Sequence, residues 1–342
     1  MRKSFIIILF FLSIFIIGNS KKKNLIIGAI ANYNWQKIEP FFVSLYKANF
    51  QNFDCVMFVF NLSSNTLDKL NSNGIITYKF PKKYKGMKIN NVRYKLYEDY
   101  LSNKLDKYNI VLHVDVRDTF FQKNFFQIYE NKGSFIGFAI EDKNISEKTN
   151  AEWMKNQYGI QIYEEIKNER AICSGTIWGT ADKFYELTKK IWKEIELKSP
   201  YDIKIHDQTA TNFLIYYKKL FKDCMIKTDN YKGVILSLHF AKNTNLSYDS
   251  EDNLLDYNGK IKVALVHQYD RLPKLIEKVK KKYCYSSDYS FNLNSSLSNT
   301  MKANKFNISK VTSSKFRQIF PIYLYWISIL FTIYIFKYFI RK

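Results

Sequence analysis

Ile110-Val111-Leu112-His113-Val114-Asp115-Val116-Arg117-Asp118 is an apolar run that ends in two carboxylates three positions apart. Its length and branched aliphatic content read as a buried strand. In open α/β sheets ligands sit beyond the carboxyl ends of the strands, so Asp115 and Asp118 stand where chemistry is expected. Paired acids there suit a hard divalent cation, because Mg²⁺ and Mn²⁺ take oxygen ligands, one or two of them carboxylates. The same residues also read as a turn capped by Asp118 beside an Asp115–Arg117 ion pair.

Outward from that strand, short apolar runs at 24–31, 55–60 and 75–80 alternate with helical spacing at 38–49, 66–73 and 90–101. Such alternation predicts an α/β domain whose mostly parallel, Rossmann-like sheet is flanked by helices. Further strands are expected at 135–140, 172–178, 234–238 and 263–266, and helices at 181–197 and 207–220. The polar stretch 141–150 reads as a loop. The folded domain is expected over 21–285.

The ends of the chain read differently. Arg2 and Lys3 precede an uncharged apolar run at 5–17, followed by the small residues Gly18 and Ser20. This has the form of a signal peptide over 1–20, or of a signal anchor. The polar segment 286–318 reads as a stalk, 319–337 as a transmembrane helix and 338–342 as a short cytosolic tail. A cleaved signal would place the domain in the lumen of the ER or Golgi, held to the membrane through its C-terminal helix. Sequons beginning at Asn61, Asn144, Asn245, Asn294 and Asn307 agree with that route.

The net charge of +22 raises the possibility of a nucleic-acid or other polyanion partner. The lysines are scattered in short runs with no Arg-rich stripe and no zinc-finger spacing, which argues against nucleic acid. Four widely spaced cysteines without a CxxC exclude a zinc ribbon and merely permit disulfides.

Four other places carry candidate chemistry. Val263-Ala264-Leu265-Val266-His267 delivers an imidazole, a good Mn²⁺ ligand, into the polar cluster Gln268-Tyr269-Asp270-Arg271. Asp270 and Arg271 also read as a surface ion pair. In Cys173-Ser174-Gly175-Thr176-Ile177-Trp178-Gly179-Thr180 the two glycines permit a tight turn or a close approach to a ligand, or mark a hairpin with Thr180 as helix N-cap. Asp207, in His206-Asp207-Gln208, reads as a helix cap or as a catalytic or acceptor-binding carboxylate. Arg93 either meets a diphosphate or lies on a solvated face.

Taken in order, these segments resemble GT-A nucleotide-diphospho-sugar transferases that carry D-x-R-D-x-x-F, S-G-x-x-x-G, D-Q and H-Q-Y-D-R. Here they are Asp115 to Phe121, Ser174 to Gly179, Asp207-Gln208 and His267 to Arg271, and the similarity spans roughly 24–280. The resemblance implies a GT-A fold and a nucleotide-diphospho-sugar donor. It further implies Mn²⁺ or Mg²⁺ held by Asp115, Asp118 and His267, with Arg93, Arg117, Ser174 and Gly175 joining Asp115 on the donor side. Asp207 is the candidate catalytic carboxylate, and the acceptor is a hydroxyl on a glycan, protein or lipid. The commoner D-x-D pattern has its second acid two residues after the first, where this chain has Arg117. One of Asp115 and Asp118 is therefore expected on the metal, the other either sharing it, binding ribose or orienting Arg117. The alternative is a membrane protein that keeps the fold to bind glycans or partners without turnover.

Overall fold

The computed structural model describes residues 21–284. The expected signal segment 1–20, stalk 286–318, span 319–337 and tail 338–342 lie outside the described residues. Among the described residues no helix is long and apolar enough to cross a membrane.

The first half alternates as expected: β1 (Lys23–Ala31), α1 (Trp35–Lys47), β2 (Phe53–Phe60), α2 (Ser64–Ser72), β3 (Ile76–Lys79), α3 (Ile89–Leu101) and β4 (Tyr108–Val114). β1 is apolar on both faces because it is central. Ile26 and Ile30 pack into the cluster built on α1, while Leu25 and Ile27 point to the opposite cluster with α3. Then follow β5 (Thr119–Phe121), β6 (Ile136–Asn144), α4 (Lys148–Tyr158), α5 (Ile160–Ile166), β7 (Arg170–Thr180) and α6 (Ala181–Leu197). α6 buries Phe184, Leu187, Ile191 and Ile195, a three-and-four spacing that forms one stripe along the helix. The chain closes with α7 (Asp207–Asn212), β8 (Met225–Thr228), β9 (Ile235–Ser237), β10 (Leu265–His267) and α8 (Pro273–Tyr283).

The large sheet has the order β3-β2-β1-β4-β7-β6-β8, and a small one the order β5-β10-β9. In the large sheet only the two pairings of β7 are antiparallel, so the expected mostly parallel sheet flanked by helices is what forms.

Several expectations need correction. The supposed loop 141–150 is instead the end of β6 and the start of α4. Glu147 caps that helix through Oε2, which accepts from the amides of Thr149 and Asn150 at 2.9 and 3.3 Å, so polar residues here build structure. Gly175 and Gly179 do not make a turn; both lie within the continuous strand β7. Asp207 is the first residue of its helix, and the cap position belongs to His206. That helix breaks early, becoming a π-helical turn at Phe213–Tyr217. Thr211 and Asn212 there bond the carbonyls of Asp207 and Gln208, and Asn212 also clasps the main chain of Ile172 in β7. Side chains that compete for the helix ladder and tie it to a strand account for the widened turn. All four cysteines are free.

Candidate active site

The ladder between β4 and β7 continues one residue past β4, with the Asp115 amide donating to the Gly175 carbonyl at 2.9 Å. Val116 then turns into the core, 2% exposed, and Asp118 directly precedes β5. β5 runs antiparallel to β10, with Thr119 opposite His267. A second link, Gln268 N–H to Asp118 O at 2.7 Å, locks the two segments together. Gln268 itself sits at φ +63°, an unusual left-handed conformation that swings the chain away immediately after His267. Two sheets thus deliver Asp115, Asp118 and His267 to one point.

One ligand atom from each of the three residues can be chosen so that all lie within 4.8 Å of one another. His267 Nε2 is 3.7 Å from Asp115 Oδ2 and 3.6 Å from Asp118 Oδ1. Donors about 3–4 Å apart are what two metal bonds of a little over 2 Å require. Two further observations fit a cation. His267 Nε2 and Asp118 Oδ1 are buried with no hydrogen-bond partner, an arrangement that is costly unless something else binds them. A Cβ on Gly175 would stand 2.4 Å from His267 Cε1 and 2.6 Å from Asp115 Oδ2, so any side chain there would intrude on the converging ligands. Two carboxylates and an imidazole form a donor set suited to Mn²⁺ or Mg²⁺.

The surroundings set the charges. Burial disfavours an ionised Asp115, but the Arg93 guanidinium and His267 overcome it and hold that carboxyl well below the usual range. Burial raises Asp118, and the negative charge of Asp115 beside it adds to the effect. Two acids pushed apart in this way carry a repulsion that a divalent cation relieves. Burial opposes a charged His267, yet its contacts with Cys173, Asp115 and Asp118 raise it well above the ordinary imidazole range. Its Nδ1 faces Cys173 Sγ at 3.5 Å, so an Nδ1–H donated to sulfur leaves Nε2 as the ligating atom.

Arg93, on α3, is 3% exposed, so the solvated-face alternative fails. Its guanidinium bonds Asp115 Oδ1, the Ser174 carbonyl at 3.2 Å and Asp207 Oδ2 at 2.5 Å, binding three of the singled-out residues into one network. Tyr94 O–H also donates to Asp207 Oδ2, at 3.3 Å. Arg117 does not pair with Asp115. It bonds the outer oxygen of Asp118 at 3.1 Å and Asp270 at 3.0 Å, and Asp270 also meets Arg271 at 3.5 Å.

Arg93, Asp115, Arg117 and Asp118 therefore line one cleft with Ser174, Gly175, Asp207 and His267. Its volume is about 420 Å³, within the roughly 300–1,000 Å³ usual for small-ligand sites. Among the further lining residues that the sequence does not single out are Glu141, Asn150, Trp153 and His239. The first three fall in or beside 141–150, a polar stretch without apolar periodicity. The sequence signal available was Glu141 following the apolar run of β6.

No family model matches this chain, and neither does any curated protein. Among solved structures it is similar to the galactosyltransferase LgtC in complex with donor and acceptor sugar analogues, at 14% identity and a TM-score of 0.48. The match covers 77% of this chain and 98% of that one. An active-site mutant of LgtC matches with the same identity and coverage at a TM-score of 0.49. At that level of superposition the likeness carries no functional argument, and the cleft's own residues must do so.

Proposed function

We infer that the chain is a metal-dependent glycosyltransferase that moves a sugar from a nucleotide-diphosphate donor to a hydroxyl on a glycan, protein or lipid. The observation that carries this reading is the convergence of Asp115, Asp118 and His267 from two sheets, with two buried ligand atoms lacking any partner. In the transfer, the bond from the sugar's anomeric carbon to the diphosphate breaks and a bond to the acceptor oxygen forms. The nucleoside diphosphate leaves with the electron pair, and the acceptor hydroxyl gives its proton to the Asp207 carboxylate. A divalent cation held by these three residues would supply charge neutralisation to the departing diphosphate.

The chain's own groups have distinct tasks in this reading. Arg117 and Arg271, about two-fifths exposed at the cleft, offer positive charge to phosphate oxygens. Arg93 fixes the orientation of Asp115 and holds Asp207. Both hydrogen bonds of Asp207 fall on Oδ2, so Oδ1 is the atom assigned to the acceptor hydroxyl. The nucleotide lies over the carboxyl end of β1, next to β4 in the sheet.

The test is a screen of UDP- and GDP-sugars for release of nucleoside diphosphate by the full chain, with Mn²⁺ and with chelator. Release that requires Mn²⁺ and falls sharply in Asp115→Asn supports the enzyme. Tight Mn²⁺ binding with no release from any donor would leave the non-catalytic binding protein instead.

A further inference from the structure

The metal and donor reading leaves one wall of the cleft unused. β6 is the second strand from β4, so at about 4.8 Å per strand Glu141 is offset sideways from Asp115 by roughly 10 Å, and the register through β7 sets it further along the strands as well. It is on the side away from β1. Glu141 is 3% exposed, yet it forms no ion pair with Lys, Arg or His among the described residues. Its carboxylate accepts only two amide bonds, from Asn150 Nδ2 at 3.4 Å and Gln208 Nε2 at 3.3 Å. Gln208 also donates to Asn150 Oδ1 at 3.1 Å, which closes a small polar triangle. A carboxylate offers about four acceptor positions, so two long bonds from neutral amides leave capacity for a ligand hydroxyl.

Beside this triangle stands a flat apolar surface. The Trp153 ring stacks on His206 with centroids 4.0 Å apart and planes 13° apart, and both residues line the cleft. The stack holds the indole in one orientation. An aromatic face next to a hydroxyl acceptor matches a pyranose ring, which has an apolar C–H face and a rim of hydroxyl donors. The same wall is wrong for phosphate: Glu141 and Glu147 line it, while the cleft's arginines cluster around Asp115, Asp118 and Asp270.

We propose that Trp153 and Glu141 form the acceptor subsite and that its occupant is a neutral pyranose, packed on the indole and donating a hydroxyl to the carboxylate. This deepens the transferase reading and rests on it. Donor and acceptor then follow the strand order: nucleotide over β1, diphosphate at β4, and the acceptor sugar at β6. Glu147, joined by Glu141 at pH values above about 7 where its carboxyl is ionised, would repel an acidic sugar, so there the acceptor terminus is a neutral hexose rather than a uronic acid.

Saturation-transfer NMR on the full chain tests this without needing turnover, donor or metal. The probes are methyl glycosides of neutral hexoses and, separately, methyl glucuronide. The C–H protons of a neutral glycoside should receive saturation from the parent protein, while glucuronide receives none. Trp153→Ala should weaken binding on the order of tenfold, the loss of one aromatic contact, and Trp153→Phe should restore most of it. In transfer assays the ratio of acceptor product to hydrolysed donor should fall by a similar factor in Trp153→Ala. Donor hydrolysis in a parent protein that binds no neutral glycoside would overturn this inference and leave the transferase standing. So would glucuronide binding as tightly as the neutral glycoside, or Trp153→Ala and Trp153→Phe both binding like the parent. Glycoside binding with no hydrolysis of any donor would overturn the acceptor role together with the enzyme.

Discussion

Gly175→Ala is the smallest change that reaches the ligands of the candidate metal. The new Cβ would stand 2.4 Å from His267 Cε1, 2.6 Å from Asp115 Oδ2 and 2.7 Å from His267 Nε2. Comfortable contacts lie at about 3.5–4.0 Å, so the imidazole or the carboxylate must retreat by about 1 Å. Metal ligands tolerate displacements of only about 0.2 Å. Overpacking typically costs about 1–3 kcal/mol, offset by about 0.4–1 kcal/mol for replacing glycine at a position with ordinary backbone angles. The fold should therefore survive with a loss of no more than about 2.6 kcal/mol. Mn²⁺ affinity should fall by more than the roughly 10- to 100-fold typical of changes outside the ligand shell. Calorimetric titration of Mn²⁺ into both proteins, with melting curves alongside, measures the two effects. Gly133→Ala, where a Cβ would meet nothing within 4 Å, should bind Mn²⁺ like the parent. Mn²⁺ bound by Gly175→Ala within threefold of the parent would show that Asp115 and His267 are not the ligands.

Three more outcomes follow from the same cleft. Asp118→Asn should weaken Mn²⁺ binding on the order of 100-fold in the same titration, since a charged buried ligand becomes a neutral one while Arg117 keeps Asp270 as its partner. Arg93→Met should destabilise the fold by about 3–5 kcal/mol in urea denaturation, because it strands Asp207 and Asp115 beside a lost buried cation. Adding Asp115→Asn and Asp207→Asn should recover much of that loss. Burial pushes the Glu141 carboxyl from 4.5 up to about 7, so between those values the folded protein binds more protons than the unfolded chain and stability must fall as pH rises. The span corresponds to about 3 kcal/mol; Glu141→Gln should abolish that slope and be the more stable protein above pH 7, as denaturation at pH 5 and pH 8 will show.

The alternation of β1 to β4 with three helices was legible because β1, β2 and β4 are short, mostly apolar runs bounded by polar residues, and the amphipathic helix at Ala181–Leu197 matched to the residue. What the sequence concealed was structure made by polar side chains. Glu141 ends the buried part of β6, Glu147 caps α4, and Asn212 widens α7 by grasping β7. Apolar periodicity cannot register such residues, since their partners are set by tertiary contacts. Asp115 and His267 were legible for the opposite reason: each stands at the end of an apolar strand, so its exit from the core is written locally, and Asp118 follows Asp115 by three positions. That Arg93 would bind Asp115 and Asp207 was not, because the contact joins a helix, a strand end and a helix start far apart in the chain.

The three-residue spacing of the two acids also has a physical reason. Asp115 still belongs to the ladder of β4 with β7, while Val116 must point into the core and Arg117 outward, half-buried at the cleft. Only the third position after Asp115 directly precedes β5, whose pairing with β10 sets Thr119 opposite His267 and so brings Asp118 beside the imidazole. An acid at position 117 would face the cleft without that registration. Arg117 instead bonds the outer oxygen of Asp118, which leaves Oδ1 toward His267. One residue thus orients a ligand and adds a positive charge beside it, which a second acid at that position could not do.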